Sequence, residues 1–361
     1  MPPVLRAQAE IDLRALPHNL ARVRACAPGA KVMAAVKANG YGHGAAQVAR
    51  TLSDAGCEAF AVATVAEGQQ LRQAGIAQPV IVLNGVLGAD DLYLAVELGL
   101  RPVVHDFVQL ERIEQADCAR GMDVWVKLDT GMHRLGLACA SVPEVAARLQ
   151  RAGVRIAGWM THLACADEPA HPLTLQQIEC FRAATAARPE PKSIANSAGI
   201  LAWPQSHTEW VRPGIMLYGA SPMPELGAAD HQLKPVMSLS APILAMRQLR
   251  RGEGIGYGQG WRAPEDMPVG VLALGYGDGY PRQAQPGTPI WIKGSRTQLI
   301  GRVSMDLIAL DLRGCGVVAA GDRAELWGKN LSADEVARHC ATVGYDLFCG
   351  LTRRVSFEYL S

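Results

Sequence analysis

A lysine closes the apolar run in "KVMAAVKANGYGHG", residues 31–44, and an asparagine, a tyrosine, a histidine and three glycines follow it. Alternation at period two puts Val32, Ala34 and Val36 on one face of a strand, and Met33, Ala35 and Lys37 on the other. A charged amine on a buried face is costly, and burial lowers its pKa. Two uses fit such a lysine. Its stem can snorkel to solvent, or the amine can serve as a nucleophile or base.

More groups of the same kind recur after later apolar runs. Asn39, Tyr41 and His43 follow Lys37; "VKLDTGMHR" brings Lys127, Asp129 and Arg134; then come His162, Asn196 with Ser197, and Arg212 with Gly214. Amine, imidazole, guanidinium and phenol together can bind an anion and move protons.

The elements that must position them form a repeat. Between residues 31 and about 220, eight short apolar runs ("KVMAAVK", "AFAVAT", "PVIVLNG", "RPVVHD", "DVWVKLDTG", "RIAGWMTHL", "KSIANSAG", "WVRPGIMLYG") alternate with amphipathic helical stretches such as "GAAQVARTLSDAG" and "SVPEVAARLQRAG". Most of these stretches end in glycine, the usual residue just past a helix. The pattern predicts an α/β fold, a closed parallel (β/α)8 barrel. A doubly wound open sheet is the alternative, but "KANGYGHG" is not its dinucleotide turn. After the Pro/Gly-rich "GASPMPELGAADHQLKP" the texture becomes short strands and turns, with the single helical stretch "SADEVARHC". The expected division is a barrel over 1–225 and a mainly-β domain over 226–361.

In such barrels function lies at the carboxyl ends of the strands, and the loops after strands seven and eight commonly hold phosphate. Here those loops are "NSAG" and "RPGI". A phosphate pocket facing a desolvated lysine points to a phosphorylated aldehyde held as a Schiff base, which is pyridoxal 5'-phosphate. A sugar-phosphate aldolase would share the pocket and the lysine but leaves the second domain without a purpose.

Seven stretches in order, "AVKANGYGHG", "KLDTGMHRLG", "THLACAD", "ANSAG", "VRPGIMLYG", "LGYGDGYPR" and "IGRVSMD", resemble the bacterial alanine racemases, pyridoxal-phosphate enzymes of fold type III, over about residues 8 to 355. The resemblance implies interconversion of L- and D-alanine, supplying D-alanine for peptidoglycan or using it in catabolism. It also implies a homodimer in which the β-domain of one subunit completes the site of the other. By the same resemblance Lys37 holds the cofactor and acts as one base, and Tyr276 is the second base, acting in the neighbouring subunit. Arg212 faces the pyridine nitrogen, and Tyr41, Ser197, Gly214 and Ile215 contact the phosphate. His162 hydrogen-bonds the catalytic tyrosine, and it and Arg212 would supply that phenol with positive charge or donors. Arg134 and Met305 meet the substrate, and Lys127 is a candidate carbamylated lysine, against a plain ion pair with Asp129. One departure stands in "CGLTRRVSF": many family members carry a tyrosine where this chain has Arg353. A broader-specificity racemase and a non-catalytic pyridoxal-phosphate carrier remain as alternatives on the same scaffold.

Bulk properties give no sign of a nucleic-acid or membrane partner, which leaves the small-molecule substrate and the second copy of the chain that the resemblance implies. Lys plus Arg number 35 against 34 Asp plus Glu, which gives no basis for nucleic-acid binding or attraction to an anionic membrane. No apolar run is long enough to span a bilayer, and "MPPVLRAQAEIDLRALPHNL" lacks the pattern of a signal peptide. Nine scattered cysteines without a CxxC pair read as reduced thiols in the cytoplasm, not as a disulfide framework or a metal site.

Overall fold

The computed structural model describes residues 6–361. The chain forms two compact units: one comprises Pro17–Leu217 with Pro222–Glu225, and the other comprises Leu226–Ser361 with Tyr218–Ser221 and the described residues up to Leu16.

All eight apolar runs of the repeat become parallel strands of one sheet: Lys31–Ala35, Ala59–Val62, Val80–Val82, Arg101–Val104, Asp123–Asp129, Arg155–Met160, Lys192–Ser193 and Trp210–Val211. The eighth strand pairs back on the first, Trp210 opposite Lys31 and Val211 opposite Val32, so the sheet closes into a barrel. A ninth, two-residue strand, Leu137–Ala138, adds itself to Leu128 and Asp129. Closure rules out the open sheet. Met33, Ala59, Ala61, Ile81, Val103, Trp125 and Met160 form one buried cluster that fills the barrel. These are alternate residues of their strands, as a filled barrel requires.

Two of the barrel helices begin on a side-chain acceptor that the sequence offers. Thr64 and Glu67 form a capping box on Val65–Gln73, and Asp106 accepts from Gln109 N at the start of Phe107–Gln115. Only a single turn, Ile215–Tyr218, follows the eighth strand. The helix Ala15–Cys26 precedes the first strand instead, and Asn19 Nδ2 donates to Leu217 O at 2.9 Å.

In the second unit six antiparallel strands close on themselves, in the order Met267–Leu272, Ile308–Asp311, Ser295–Ile300, Pro289–Ile292, Arg323–Trp327, Met237–Leu249. Tyr280 stacks on Trp327 in its buried interior. "SADEVARHC" is helical over Ala333–His339, and a second short helix, Gly344–Cys349, follows it. The expected division at 225/226 differs from these pairings at the amino terminus. Gln8–Asp12 lies antiparallel to Met237–Ser240 and parallel to the last strand, Ser356–Leu360. Its alternating Ala9 and Ile11 are buried there, and a five-residue strand shows no helical repeat that would assign it to the barrel. Residues 1–5 of that division lie outside the described residues.

Candidate active site

Lys37 stands two residues past the buried end of the first strand, in the same alternation as Met33 and Ala35. The chain then does something rare. Ala38, Asn39, Gly40, Tyr41 and Gly42 all have positive φ, between 51° and 78°. Left-handed backbone costs a non-glycine residue about 1–2 kcal/mol, and three of these five are not glycine. The turn is held by named bonds. Gly40 N donates to Val36 O (2.8 Å), Gly42 N to Ala38 O (2.9 Å) and Gly44 N to Asn39 O (2.9 Å). Ala45 N donates to Asn39 Oδ1 at 3.0 Å, and His43 Nδ1 bonds Tyr41 O at 2.8 Å. Glu67 reaches over from the helix Val65–Gln73 and accepts from Ala38 N (2.8 Å) and Ala63 N (2.6 Å). Asn39 and His43 are therefore structural members of this turn. His43 is fully buried, and burial holds its pKa down at about 4, so the ring is neutral.

The turn delivers the Tyr41 hydroxyl to the loop after the eighth strand, where a Cβ on Gly214 would lie 2.4 Å from it. Any side chain at that position would push the Tyr41 hydroxyl out of place. Gly214 N donates to Ser197 Oγ at 2.9 Å, and Ile215 beside it is fully buried. Ser197 opens a short helix capped by Asn196, whose Oδ1 accepts from Gly199 N. Tyr41, Ser197, Gly214 and Ile215 thus form one small polar cradle from segments more than 150 residues apart in sequence.

Beside it the strand ends converge on positive charge. Arg212 is buried, and both Nη atoms are spent on the chain. Nη1 donates to Ser193 O (2.8 Å) and Ser193 Oγ (2.6 Å); Nη2 donates to Thr161 O and to Ile194 O (3.2 Å). That leaves Nε–H as the guanidinium donor outside this network. Burial brings the Arg212 pKa down to about 10, still charged at neutral pH. Lys127 follows the core residue Trp125 by two, on the face expected. Burial, and after it the charges of Arg212, Arg134 and Lys37, lower its pKa to about 8.

The alternative for Lys127, a plain ion pair with Asp129, is not formed among the described residues. The Asp129 carboxylate is taken by Gly131 N, Met132 N and His133 N at 3.0–3.1 Å and by His133 Nδ1 at 3.1 Å. A carboxylate that closes its own turn is not free to reach back along the strand.

His162 follows Met160 by two. Burial, then Arg212, Lys127, Arg134 and Lys37, push its pKa well below the usual imidazole value. Of the two contributions expected of His162, positive charge or a hydrogen-bond donor, burial and the four neighbouring cations leave the second: the neutral ring can offer a single N–H. Arg134, in the loop after Asp129, is exposed.

Tyr276 and Met305 belong to the other unit and sit side by side there. Tyr276 N donates to Ser304 O (3.0 Å) and Gly277 N to Met305 O (2.8 Å), so the loops "GYGDG" and "VSMD" are backbone-paired. Arg354 ties them together through Asp278 (3.2 Å) and Asp306 (2.7 Å). Tyr276 is 37% exposed and Met305 52%. The Arg282 guanidinium lies 6.0 Å from the centre of the Tyr276 ring, a cation that the sequence reading did not single out. Arg353 is exposed on the bracing segment.

Comparison with known proteins agrees with this layout. The family model "Alanine racemase, N-terminal domain" matches residues 11–222, and "Alanine racemase, C-terminal domain" matches residues 236–359. The chain belongs to the alanine racemase family. It is 48% identical to the alanine racemase of Halorhodospira halophila, covering 98% of this chain and 97% of that protein. With the alanine racemase of Vibrio parahaemolyticus it shares 46% identity over 98% and 99%. The crystal structure of the biosynthetic alanine racemase from Pseudomonas aeruginosa superposes with a TM-score of 0.95 at 43% identity, covering all of both chains. The alanine racemase from Bartonella henselae, solved with covalently bound pyridoxal phosphate, superposes at 0.89 with 27% identity over 98% of this chain and 99% of that one.

The family's cofactor is pyridoxal phosphate, and the donor set fits it. One lysine stands at a strand end, a hydroxyl-and-amide cradle lies near it, and Lys37, Lys127, Arg134 and Arg212 crowd together with Asp129 committed elsewhere. An anionic aromatic ligand would relieve that repulsion. Glu67 is a member of this site that the sequence reading missed. Its signal was present as the capping pattern Thr64-x-x-Glu67.

Proposed function

We propose that the protein interconverts L- and D-alanine with pyridoxal phosphate, through Lys37 on one face of the cofactor and Tyr276 of a second copy of the chain on the other. The observation that carries this is the crowding of Lys127, Arg134, Arg212 and a neutral imidazole with Lys37, next to the cradle of Tyr41, Ser197, Gly214 and Ile215. Bound through Lys37, pyridoxal phosphate supplies the electron sink that makes the α-proton of an amino acid removable.

The rest is the work of the chain. Lys37 would take or return the α-proton on its side and Tyr276 would do so on the opposite side, so the substrate need not turn over. Arg212 offers Nε–H to the pyridine nitrogen. A guanidinium that stays protonated keeps that nitrogen unprotonated, which limits how much charge the ring takes up. Tyr41, Ser197, Gly214 and Ile215 hold the phosphate. His162 donates its one N–H to the Tyr276 oxygen, while Arg282 supplies positive charge over the same ring. Arg134 pairs with the substrate carboxylate, and Met305 bounds the space for its methyl group.

Lys127 is well suited to carbamylation. Its lowered pKa leaves a fraction of the amine neutral near neutral pH, and that lone pair can bond to the carbon of carbon dioxide, with loss of one proton. The resulting anion would orient Arg134 by paired hydrogen bonds.

A two-fold dimer would bring two such sites together. It is favoured by the exposure of Tyr276 and Met305 on loops that are otherwise well braced. Nine unbridged thiols favour the cytoplasm, and among the described residues no helix is long and apolar enough to cross a membrane.

Borohydride reduction of the protein loaded with pyridoxal phosphate, followed by peptide mapping, should place pyridoxyl on Lys37, with L-to-D conversion of alanine lost in step. Label on Lys127 or Lys192 would overturn the assignment.

A further inference from the structure

Two cysteines of the barrel unit stand in contact although nothing in their spacing joins them. Cys139 Sγ and Cys180 Sγ are 3.3 Å apart. Cys139 is partly buried directly after the short strand Leu137–Ala138, and Cys180 is exposed on the helix Leu173–Thr185. Both carriers are fastened to the active-site mouth. Cys139 Sγ lies 3.7 Å from Asp129 O, and its strand pairs with Leu128 and Asp129. On the helix, Gln177 Nε2 donates to His162 O (3.0 Å) and Thr130 Oγ1 (3.3 Å), while its Oε1 accepts from Ala164 N (2.9 Å).

We infer that Cys139 and Cys180 form a redox-modification site, whose disulfide staples the Arg134-bearing loop to the helix that holds the His162 segment. The pair is asymmetric. Cys180 is the accessible sulfur and meets the oxidant. Cys139 is the resolving thiol, shielded by burial and by its bond to Cys180. A low-molecular-weight disulfide such as oxidised glutathione balances the step. The Cys180 thiolate attacks one of its sulfurs and releases one thiolate of the oxidant, which takes the Cys139 proton. Cys139 then attacks Cys180 Sγ and expels the second glutathione thiolate, which picks up a proton from solvent. Two protein thiols lose two electrons, and one disulfide of the oxidant becomes two thiols. Because the sulfurs already touch, closure needs a movement of about 1 Å to reach bonding distance. The staple therefore calls for only a small movement of the two sulfurs. The expected consequence is resistance to heat with turnover at ambient temperature retained.

The test incubates the cofactor-loaded protein in oxidised glutathione, quenches with an alkylating agent and maps the peptides. A mass loss of two hydrogens linking residues 139 and 180, reversed by dithiothreitol, is expected in wild type and in Cys165→Ser, and absent in Cys180→Ser and Cys139→Ser. The half-life of activity at an inactivating temperature should at least double on oxidation in wild type and stay unchanged in Cys180→Ser, whose exposed position tolerates the change. Glutathione retained on Cys180 beside an alkylated Cys139 would overturn the inference. So would a linked pair that gives no added heat resistance.

Discussion

The barrel mouth and the loop around Tyr276 carry groups of similar chemistry in opposite physical states. At the mouth, Arg212 is buried with four bonds to the chain, His162 and Lys127 have lost much of their affinity for protons, and Tyr41 is packed on Gly214. Around Tyr276 the backbone is just as firmly tied, through Ser304, Met305, Asp278 and Arg354, yet the phenol and the Met305 side chain face solvent. Rigid backbone beneath exposed functional side chains is what a surface needs when a partner will complete it, since little ordering cost remains at docking. The mouth has its electrostatics settled by its own fold. The loop has only its geometry settled.

The strongest way to break that contrast is to ask whether the two halves belong to one site. Lys37→Ala and Tyr276→Phe should each cut racemisation by about 100- to 10,000-fold or more, with Tyr276→Phe still binding pyridoxal phosphate. Heterodimers of the two variants contain one site with both lesions and one with neither. Random mixing should then restore roughly a quarter of wild-type activity, measured by coupled D-alanine assay after subunit exchange. No recovery in verified heterodimers would put both residues in the same chain's site.

Arg212→Lys sharpens the claim that the mouth is built by its own packing. A lysine cannot serve Thr161 O, Ser193 O and Ile194 O in one plane. The loss should be about 2–4 kcal/mol of stability, read as a lower urea midpoint. The same measurement on Arg282→Lys, on the exposed loop, should show almost no change.

Acid should separate the regions next. His43 is neutral in the fold with a pKa of about 4, whereas the unfolded imidazole titrates near 6.5. Unfolding therefore takes up a proton between those values. Stability is intact above pH ~6.5 and falls as pH drops toward ~4, by about 3 kcal/mol from this residue. His162 adds to the same slope. His43→Asn should flatten the curve of stability against pH across that window, as followed by urea denaturation. A slope unchanged from wild type would assign the acid sensitivity elsewhere.

The smallest effect concerns the left-handed turn. Glu67→Gln leaves one oxygen for Ala38 N and Ala63 N, which now compete. A loss of about 1–2 kcal/mol is expected, seen as a lower melting temperature and faster loss of pyridoxal phosphate on dialysis.

Much of the barrel was legible because its signals are local. Eight apolar runs, glycine-ended helices and the parity of Met33, Ala35 and Lys37 all follow from period and turn chemistry, and each became a strand, a helix or a face as expected. The motif set named the family on residues that recur in order along the chain. Gln8–Asp12 was not assigned to the second unit because five alternating residues do not say which of two sheets they will join. Glu67 was passed over because a capping glutamate looks complete within its own helix, while its second bond is to a residue 29 positions away. The contact of Cys139 with Cys180 has no trace in spacing at all.

The sequence by itself determined which residue types stand at the strand ends, on which face Lys37 and Lys127 lie, and that two kinds of unit follow one another. Those are properties of a chain with its neighbours, set by backbone period and side-chain sterics. Only the tertiary structure decided their ionisation and their commitments. Lys127 loses its proton more easily because the closed barrel buries it and brings Arg212 and Lys37 from other strands beside it, with Arg134 from the loop after its own, and Asp129, bonded into its own turn, offsets only part of this. Charge interactions sum over whatever lies within a few ångströms, regardless of position in the chain. The protonation of the site therefore came into being only when the barrel closed.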